Sequence, residues 1–324
     1  MYLGVALAVS GIASASGQSG GQQPTFRART DVVSVAVSVM KGRNPVTGLT
    51  PADFELTDNG VRQTVDSASL DRVPIDVTVL LTAFPAARAV DHEGNLVTAA
   101  VVRRLLLPED RLRVVTIDAE VRGRVVIHDY SFIADPMVKT WNRARAIGAN
   151  GIAFGNDYRR IWGVALADGL FYALAWPVSP DRRHVVVAFS DGWDTASALE
   201  METLPKLAAH SDAVLHFAFW RSPGEDSGPG GGINYLGDLH PVLVSRWRTS
   251  FEIMDDVVGR TGGRLHRTSN ADETLTEIIA DFRSSYLLRY TPRGVPLAGW
   301  HELKVKVTKP GSFTIRARKG YEGS

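Results

Sequence analysis

Two short stretches carry residue types that bind or react. Ser190-Asp191-Gly192-Trp193-Asp194-Thr195 follows the apolar run His184 to Phe189, and Thr82-Ala83-Phe84-Pro85-Ala86 follows the run Ile75 to Leu81. Hydroxyl and carboxylate oxygens just beyond buried strands are the donors that a hard cation or a polar ligand requires. Other chemistry finds less support. Ser190 lacks the G-x-S-x-G elbow of a serine hydrolase. No G-x-G-x-x-G or P-loop follows any strand, so nucleotide binding has no phosphate cradle. The histidines, His92, His128, His184, His210, His216, His240, His266 and His301, stand singly, without the H-x-H or H-x-x-x-H spacing that starts a zinc site. Cysteine is absent, which excludes disulfides, thiolate metal sites, iron–sulfur clusters, cysteine nucleophiles and an acylated-cysteine anchor together. Asp118 and Glu120 resemble a carboxylate pair, but no partner base accompanies them and they read as solvated. With no catalytic constellation, the chain reads as a non-enzyme.

The elements that must position these residues follow from periodicity. Near-continuous apolar runs at Ile75–Leu81, Arg113–Ile117, His184–Phe189 and Ala213–Phe219 are strands buried on both faces of a mainly parallel sheet. Helical periods lie between them, at Leu96–Leu107, Pro136–Ile147, Tyr158–Trp176, Leu199–Ala209 and Val242–Val258. Val121–Ile127 follows its neighbour too closely for a crossover and reads as an antiparallel edge strand. This alternation predicts a doubly wound α/β domain over 74–270. Thr261-Gly262-Gly263 closes a helix with a left-handed glycine, and Ala271–Ser284 forms a last amphipathic, connecting helix within 271–285. On either side the period is two. Val33, Val35, Val37 and Val39 alternate with smaller or polar residues, Thr50–Asp53 is a capped turn, and Phe54–Thr57 leads through Asp58-Asn59-Gly60 into a return strand, Val61–Leu70. Tyr286–Tyr290, Glu302–Thr308 and Ser312–Lys319 are strands of the C-terminal flank. Neither flank, 26–70 or 286–322, can bury a core alone. They are expected to join as one small β-sandwich with the α/β domain inserted between them.

The ends and the charge bear on location. Tyr2–Ile12 is an apolar run of about ten residues ending in Ala13-Ser14-Ala15, the pattern of a secretory signal over 1–15 followed by a Gly/Ser/Gln-rich linker over 16–25. No basic residue precedes the run, and the alternative is an apolar N-terminal strand or helix. No other stretch is long enough to span a membrane. In 324 residues, 36 Lys and Arg against 35 Asp and Glu leave a formal charge of +1, which gives no long-range pull on nucleic acid. Lys304, Lys306, Lys309, Arg316, Arg318 and Lys319 make a basic C-terminal face, read as the solvated side of a sheet, with contact to an anionic envelope polymer as the minor alternative.

The segment HVVVAFSDGWDT resembles the "VVLLSDGEDT" strand of von Willebrand factor type A domains. FRARTDVVSVAVSV, GLTPADFELTDNGVRQTV, Thr261-Gly262-Gly263, YLLRYTP, WHELKVKV and Arg316–Tyr321 follow in the order of the VWFA-related proteins abundant in Acidobacteria. The resemblance covers nearly the whole chain beyond residue 15. It implies a Rossmann-like domain with a metal-ion-dependent adhesion site: Asp-x-Ser-x-Ser after the first strand, a Thr from a second loop and an Asp after a later strand, together holding Mg²⁺. This chain departs from that pattern. Thr82 replaces the first Asp, Phe84 and Ala86 replace the serines, Val164 replaces the Thr, and only Asp191 remains. The metal site therefore reads as lost and no cofactor is expected. The implied function is an exported, non-enzymatic protein-binding module. Its rim comprises Thr82, Phe84, Ala86, Val164, Asp191 and Trp193 and faces a protein partner in the cell envelope. The alternative is Mg²⁺-dependent binding through a rearranged site at Asp191. Phe84 and Trp193 are expected to be exposed anchors, whereas Asp191 and Asp194 also fit a backbone-capping role.

Overall fold

The computed structural model describes residues 32–70, 73–82, 101, 104–120, 124–131, 165–177, 179, 181–190, 192, 194, 197–220, 241–268 and 270–323. Among them the strands form three sheets. The largest contains β6 (Ile75–Thr82), β7 (Arg111–Glu120), β8 (Arg124–Ser131), β9 (Arg183–Ser190), β10 (Val214–Trp220) and β11 (Leu265–Thr268), in the order β11-β10-β9-β6-β7-β8. All its neighbours are parallel except β7 and β8. The protein is therefore mixed α/β around a parallel sheet, and the antiparallel edge strand expected over Val121–Ile127 is seen over Arg124–Ser131.

Both faces of this sheet are covered, which is why β6, β9 and β10 carry near-continuous apolar runs. Helices α1 (Leu166–Leu174), α2 (Leu204–His210) and α3 (Pro241–Thr261) lie along the sequence between β8 and β11. Leu170, Leu204 and Val257 from these helices share one core with Leu80, Val186, Leu215 and Phe217. On the other face Leu275, Ile278 and Phe282 of α4 (Ala271–Arg283) pack on Val77, Val79, Val187 and Phe189. The helix expected from Tyr158 is seen from Leu166, with non-helical Ala165 before it. The expected helix at 136–147 lies outside the described residues. Strand β11 was not expected. It has four residues and includes His266, Arg267 and Thr268, so it offers no apolar run and is held by pairing with β10.

Gly262 and Gly263 show why α3 must end where it does. Gly262 takes φ +86°, and the Gly263 amide donates to Val258 O at 2.9 Å. A Cβ on Gly263 would stand 1.7 Å from Leu215 O, so only glycine lets the chain pass this close to β10.

The flanking β segments pair with each other. Strand β1 (Val33–Lys41) lies between β12 (Tyr286–Tyr290) and β14 (Thr314–Ala317), while β13 (Gly299–Val307) lies between β3 (Phe54–Asp58) and β15 (Gly320–Gly323). The return strand expected over 61–70 is two strands. β4 (Val61–Gln63) pairs with β3, and β5 (Ser67–Ser69) pairs with β12 in the other sheet. The break coincides with Gln63, whose amide turns inward to clasp Arg293 N and O. Residues 314–323 likewise cross between the sheets, because β14 pairs with β1 and β15 with β13. The two sheets are thus stitched at both lateral edges, which leaves fewer open edges to aggregate. Val35, Val37, Val39, Phe54, Leu56, Tyr286, Leu288 and Leu303 fill the space between them.

Candidate functional site

After β6 the chain goes to β7 on one side and then crosses to β9 on the other. The reversal places a topological switch point between β6 and β9, and open α/β sheets bind ligands outside the carboxyl ends of the strands there. Thr82 ends β6 and Ser190 ends β9, and the register Leu81↔Phe189 makes them neighbours. Ser190 is buried, and its Oγ accepts the Gly192 amide at 3.1 Å across a turn in which Gly192 has φ +85°.

Four residues past β9, Asp194 reaches α1. Its Oδ2 accepts the Ala167 amide at 3.1 Å and its Oδ1 accepts Ser197 N at 3.2 Å. Ala165, at the N-cap of α1, has no side chain to offer, so Asp194 caps the helix from outside and sets a negative charge at its positive end. Asp168 returns the interaction. Its two oxygens accept Ala198 N and Leu199 N, each at 2.9 Å, while its own amide donates to Ser197 Oγ at 3.2 Å. The first turn of α1 and the loop after β9 are therefore clasped by reciprocal side chain–backbone bonds. Sequence reasoning missed Asp168 and Ser197. The available signal was an acidic residue in the first turn of a helix, which says nothing about a loop thirty residues on.

Of the expected rim, Thr82 is placed at the switch point; Phe84, Ala86, Val164, Asp191 and Trp193 lie outside the described residues, and with them the expected exposure of Phe84 and Trp193. Of the five ligand positions that the resemblance implies, only that of Thr82 is among the described residues. The nearby carboxylates of Asp194 and Asp168 are turned to backbone amides. Asp118 and Glu120 lie in β7, opposite Val126 and Arg124 of the edge strand.

Outside this edge, the C-terminal basic face is solvated at Lys304, Lys306, Lys309 and Lys319, as the sequence reading has it, whereas Arg316 is half-buried and Arg318 is buried. Lys304, Lys306, Lys309, Arg316, Arg318 and Lys319 are each within ion-pair reach of an acid: Glu302, Glu55, Asp53, Asp281, Asp212 and Asp256 respectively. Arg318 is buried and donates to Ala209 O and Gly320 O. The four lysines of these pairs stay exposed, and Asp256 is shared with Arg260, which it meets at 2.7 Å.

The histidines do not all stand alone in space. His216 and His266 touch, and His301 lies with Asp58, Tyr290 and Tyr321 inside the β segments. There Asp58 accepts from His301 Nδ1 at 2.8 Å, from Tyr290 Oη at 2.9 Å and from Tyr321 Oη at 3.2 Å. Burial and the Asp58 carboxylate push the Tyr321 hydroxyl up to about 12, and burial with the Tyr321 phenol and Asp58 pushes that of Tyr290 higher still, so both remain donors. Among the described residues no three His, Asp or Glu converge as a metal would require, and no helix is long and apolar enough to cross a membrane.

No protein-family model and no curated protein matches the chain. Solved structures give weak likenesses. BatB from Bacteroides thetaiotaomicron aligns over 64% of this chain and 96% of its own at 11% identity and TM-score 0.37. An aerotolerance-related membrane protein from Bacteroides fragilis aligns over 64% and 98% at 9% identity and TM-score 0.38. The proximal thread matrix protein 1 of the mussel byssus gives 12% identity and TM-score 0.35, and the chain spans 46% of its length. Likeness at this level decides neither fold nor function; the strand order and the clasp at the switch point are the chain's own.

Proposed function

We propose that the chain is an exported, non-enzymatic binding module of the von Willebrand factor A type that recognises a protein partner without a metal. Its α/β domain is inserted into the small β unit built from the two flanks. The binding edge is the switch point at Thr82–Ala86, Val164 and Asp191–Trp193, and the partner belongs to the cell envelope. One observation carries the reading: at that edge the nearest placed carboxylate, Asp194, is turned to the Ala167 and Ser197 amides, while a threonine ends β6 where a ligating Asp would stand. A site of this composition favours hydrogen bonds and apolar contact over cation capture. Export is supported by the Tyr2–Ala15 pattern.

Titration calorimetry of the full chain with Mg²⁺, Mn²⁺ and Ca²⁺ tests it, together with capture from envelope extract in EDTA or in Mg²⁺. The expected result is no heat of metal binding and capture of the same protein in both buffers, lost in Trp193→Ala. Micromolar metal binding that disappears in Asp191→Ala would establish the metal-dependent alternative instead.

A further inference from the structure

We infer that His216 and His266, with Arg264, Arg316 and Asp281, form an acid-sensitive joint that holds the β unit against the α/β domain and releases it on protonation. His216 lies near the start of β10 and His266 near the start of β11. Both are buried, and His216 Nδ1 stands 3.0 Å from His266 Nε2. Arg264 Nε approaches the same His266 nitrogen at 3.3 Å. A guanidinium only donates, so His266 Nε2 presents a lone pair, His216 Nδ1 carries the hydrogen, and both rings are neutral; these tautomers are assigned from the network.

His216 stands between Val214 and Ala218 on β10, and both of those residues pack with the apolar face of α4, so the alternation of the strand puts the pair on the sheet face that α4 covers. α4 lies between the parallel sheet and β1, with its apolar face on the sheet and Ala36 of β1 against the same cluster. Across the seam between α4 and the β unit, Ser38 Oγ donates to Asp281 Oδ1 at 2.7 Å, and Arg316 of β14 pairs with Asp281 and approaches Ser38 Oγ at 3.3 Å. The charged groups facing the histidines are Arg264 beside β11 and Arg316 from β14; the acids on α4, Asp281 and Glu277, are engaged by those same arginines. A proton on His266 Nε2 would set three donors against one another beside two guanidinium groups, whose acids Asp281 and Glu277 are already paired with them. Separation of β14 from α4 relieves this and lets water reach the rings. One apolar cluster lies within the α/β domain and another within the β unit, and opening also breaks the bonds of Arg318 to Ala209 O and of Lys319 N to Gly259 O.

Burial and the two arginines hold His266 down to about 3 and His216 well below its ordinary range. In the opened seam both return towards about 6.5. Opening therefore takes up two protons, and the open-to-closed ratio should rise by up to about a hundredfold per pH unit below pH 6.

The absence of cysteine makes a distance measurement direct. Lys206→Cys on α2 and Lys304→Cys on β13, both exposed, accept a pair of dyes on the full chain. The expected result is a constant distance from pH 7.5 to 6.5 and a reversible lengthening below pH 6, with far-ultraviolet circular dichroism unchanged and His216→Asn/His266→Gln unresponsive. Constant distance to pH 4, loss of dichroism in step with the distance change, or the same response in the histidine variant overturns the inference. If the double variant does not fold, proton uptake by the wild-type chain decides: fewer than one proton coupled to lengthening overturns it.

Discussion

Asp194 and Ala167 are 27 residues apart in sequence, and the carboxylate of one caps the backbone amide of the other at 3.1 Å. The backbone-capping role that the sequence allows Asp194 is here a fastening between a loop and a helix. Asp194→Ala should therefore cost about 1–2 kcal/mol, the worth of a helix cap. Urea unfolding checks this. Combination with Asp168→Ala should be less than additive, because both bonds close one clasp. Full additivity would mean that the two carboxylates act separately.

Gly263→Ala should be among the most damaging single changes. The added methyl has no space beside Leu215 O, so α3 and β10 must move apart. A loss of at least about 3 kcal/mol is expected from such overpacking of backbone. Thermal unfolding of the purified variant reads it, and a near-native midpoint would show that the end of α3 yields more easily than its geometry implies.

The β unit depends on Asp58. Asp58→Ala leaves the His301 ring and the Tyr290 hydroxyl buried without their acceptor, and should cost about 3–5 kcal/mol. Tyr321→Phe removes one longer bond and should cost about 1 kcal/mol. Denaturant midpoints that rank the two in the opposite order would displace Asp58 from the centre of the network.

His184 gives the chain a separate acid sensitivity. Its Nε2 lies 2.8 Å from Thr78 Oγ under α1, and burial holds its pKa down to about 4. The unfolded chain, at about 6.5, binds the extra proton between pH 6.5 and 4, so stability is full above this window and falls as pH drops through it. At pH 5 the loss from this residue is about 2 kcal/mol. Stability measured from pH 7 to 4.5 should fall less steeply, by one proton, in His184→Gln; equal slopes would show that the imidazole is not held neutral.

The sequence by itself determined the local features. The apolar runs specify strands covered on both faces, the valines alternating from Val33 to Val39 specify a strand with one buried face, and Asp58-Asn59-Gly60 specifies a hairpin, made with Asn59 at φ +48° and Gly60 at φ +79°. Each is set by side-chain period or by backbone sterics within a few residues. Tertiary structure decided what depends on distant partners. β11 is a strand because β10 is beside it, residues 61–69 divide between two sheets because Gln63 meets Arg293, and Arg318 is buried because the Ala209 and Gly320 carbonyls accept its guanidinium. The candidate edge follows the same division. Thr82 and Ser190 can be read as strand ends from the sequence. Their adjacency, and the use of Asp194 and Asp168 as clasps, comes from strand order and from backbone amides that only the folded chain brings within hydrogen-bond reach.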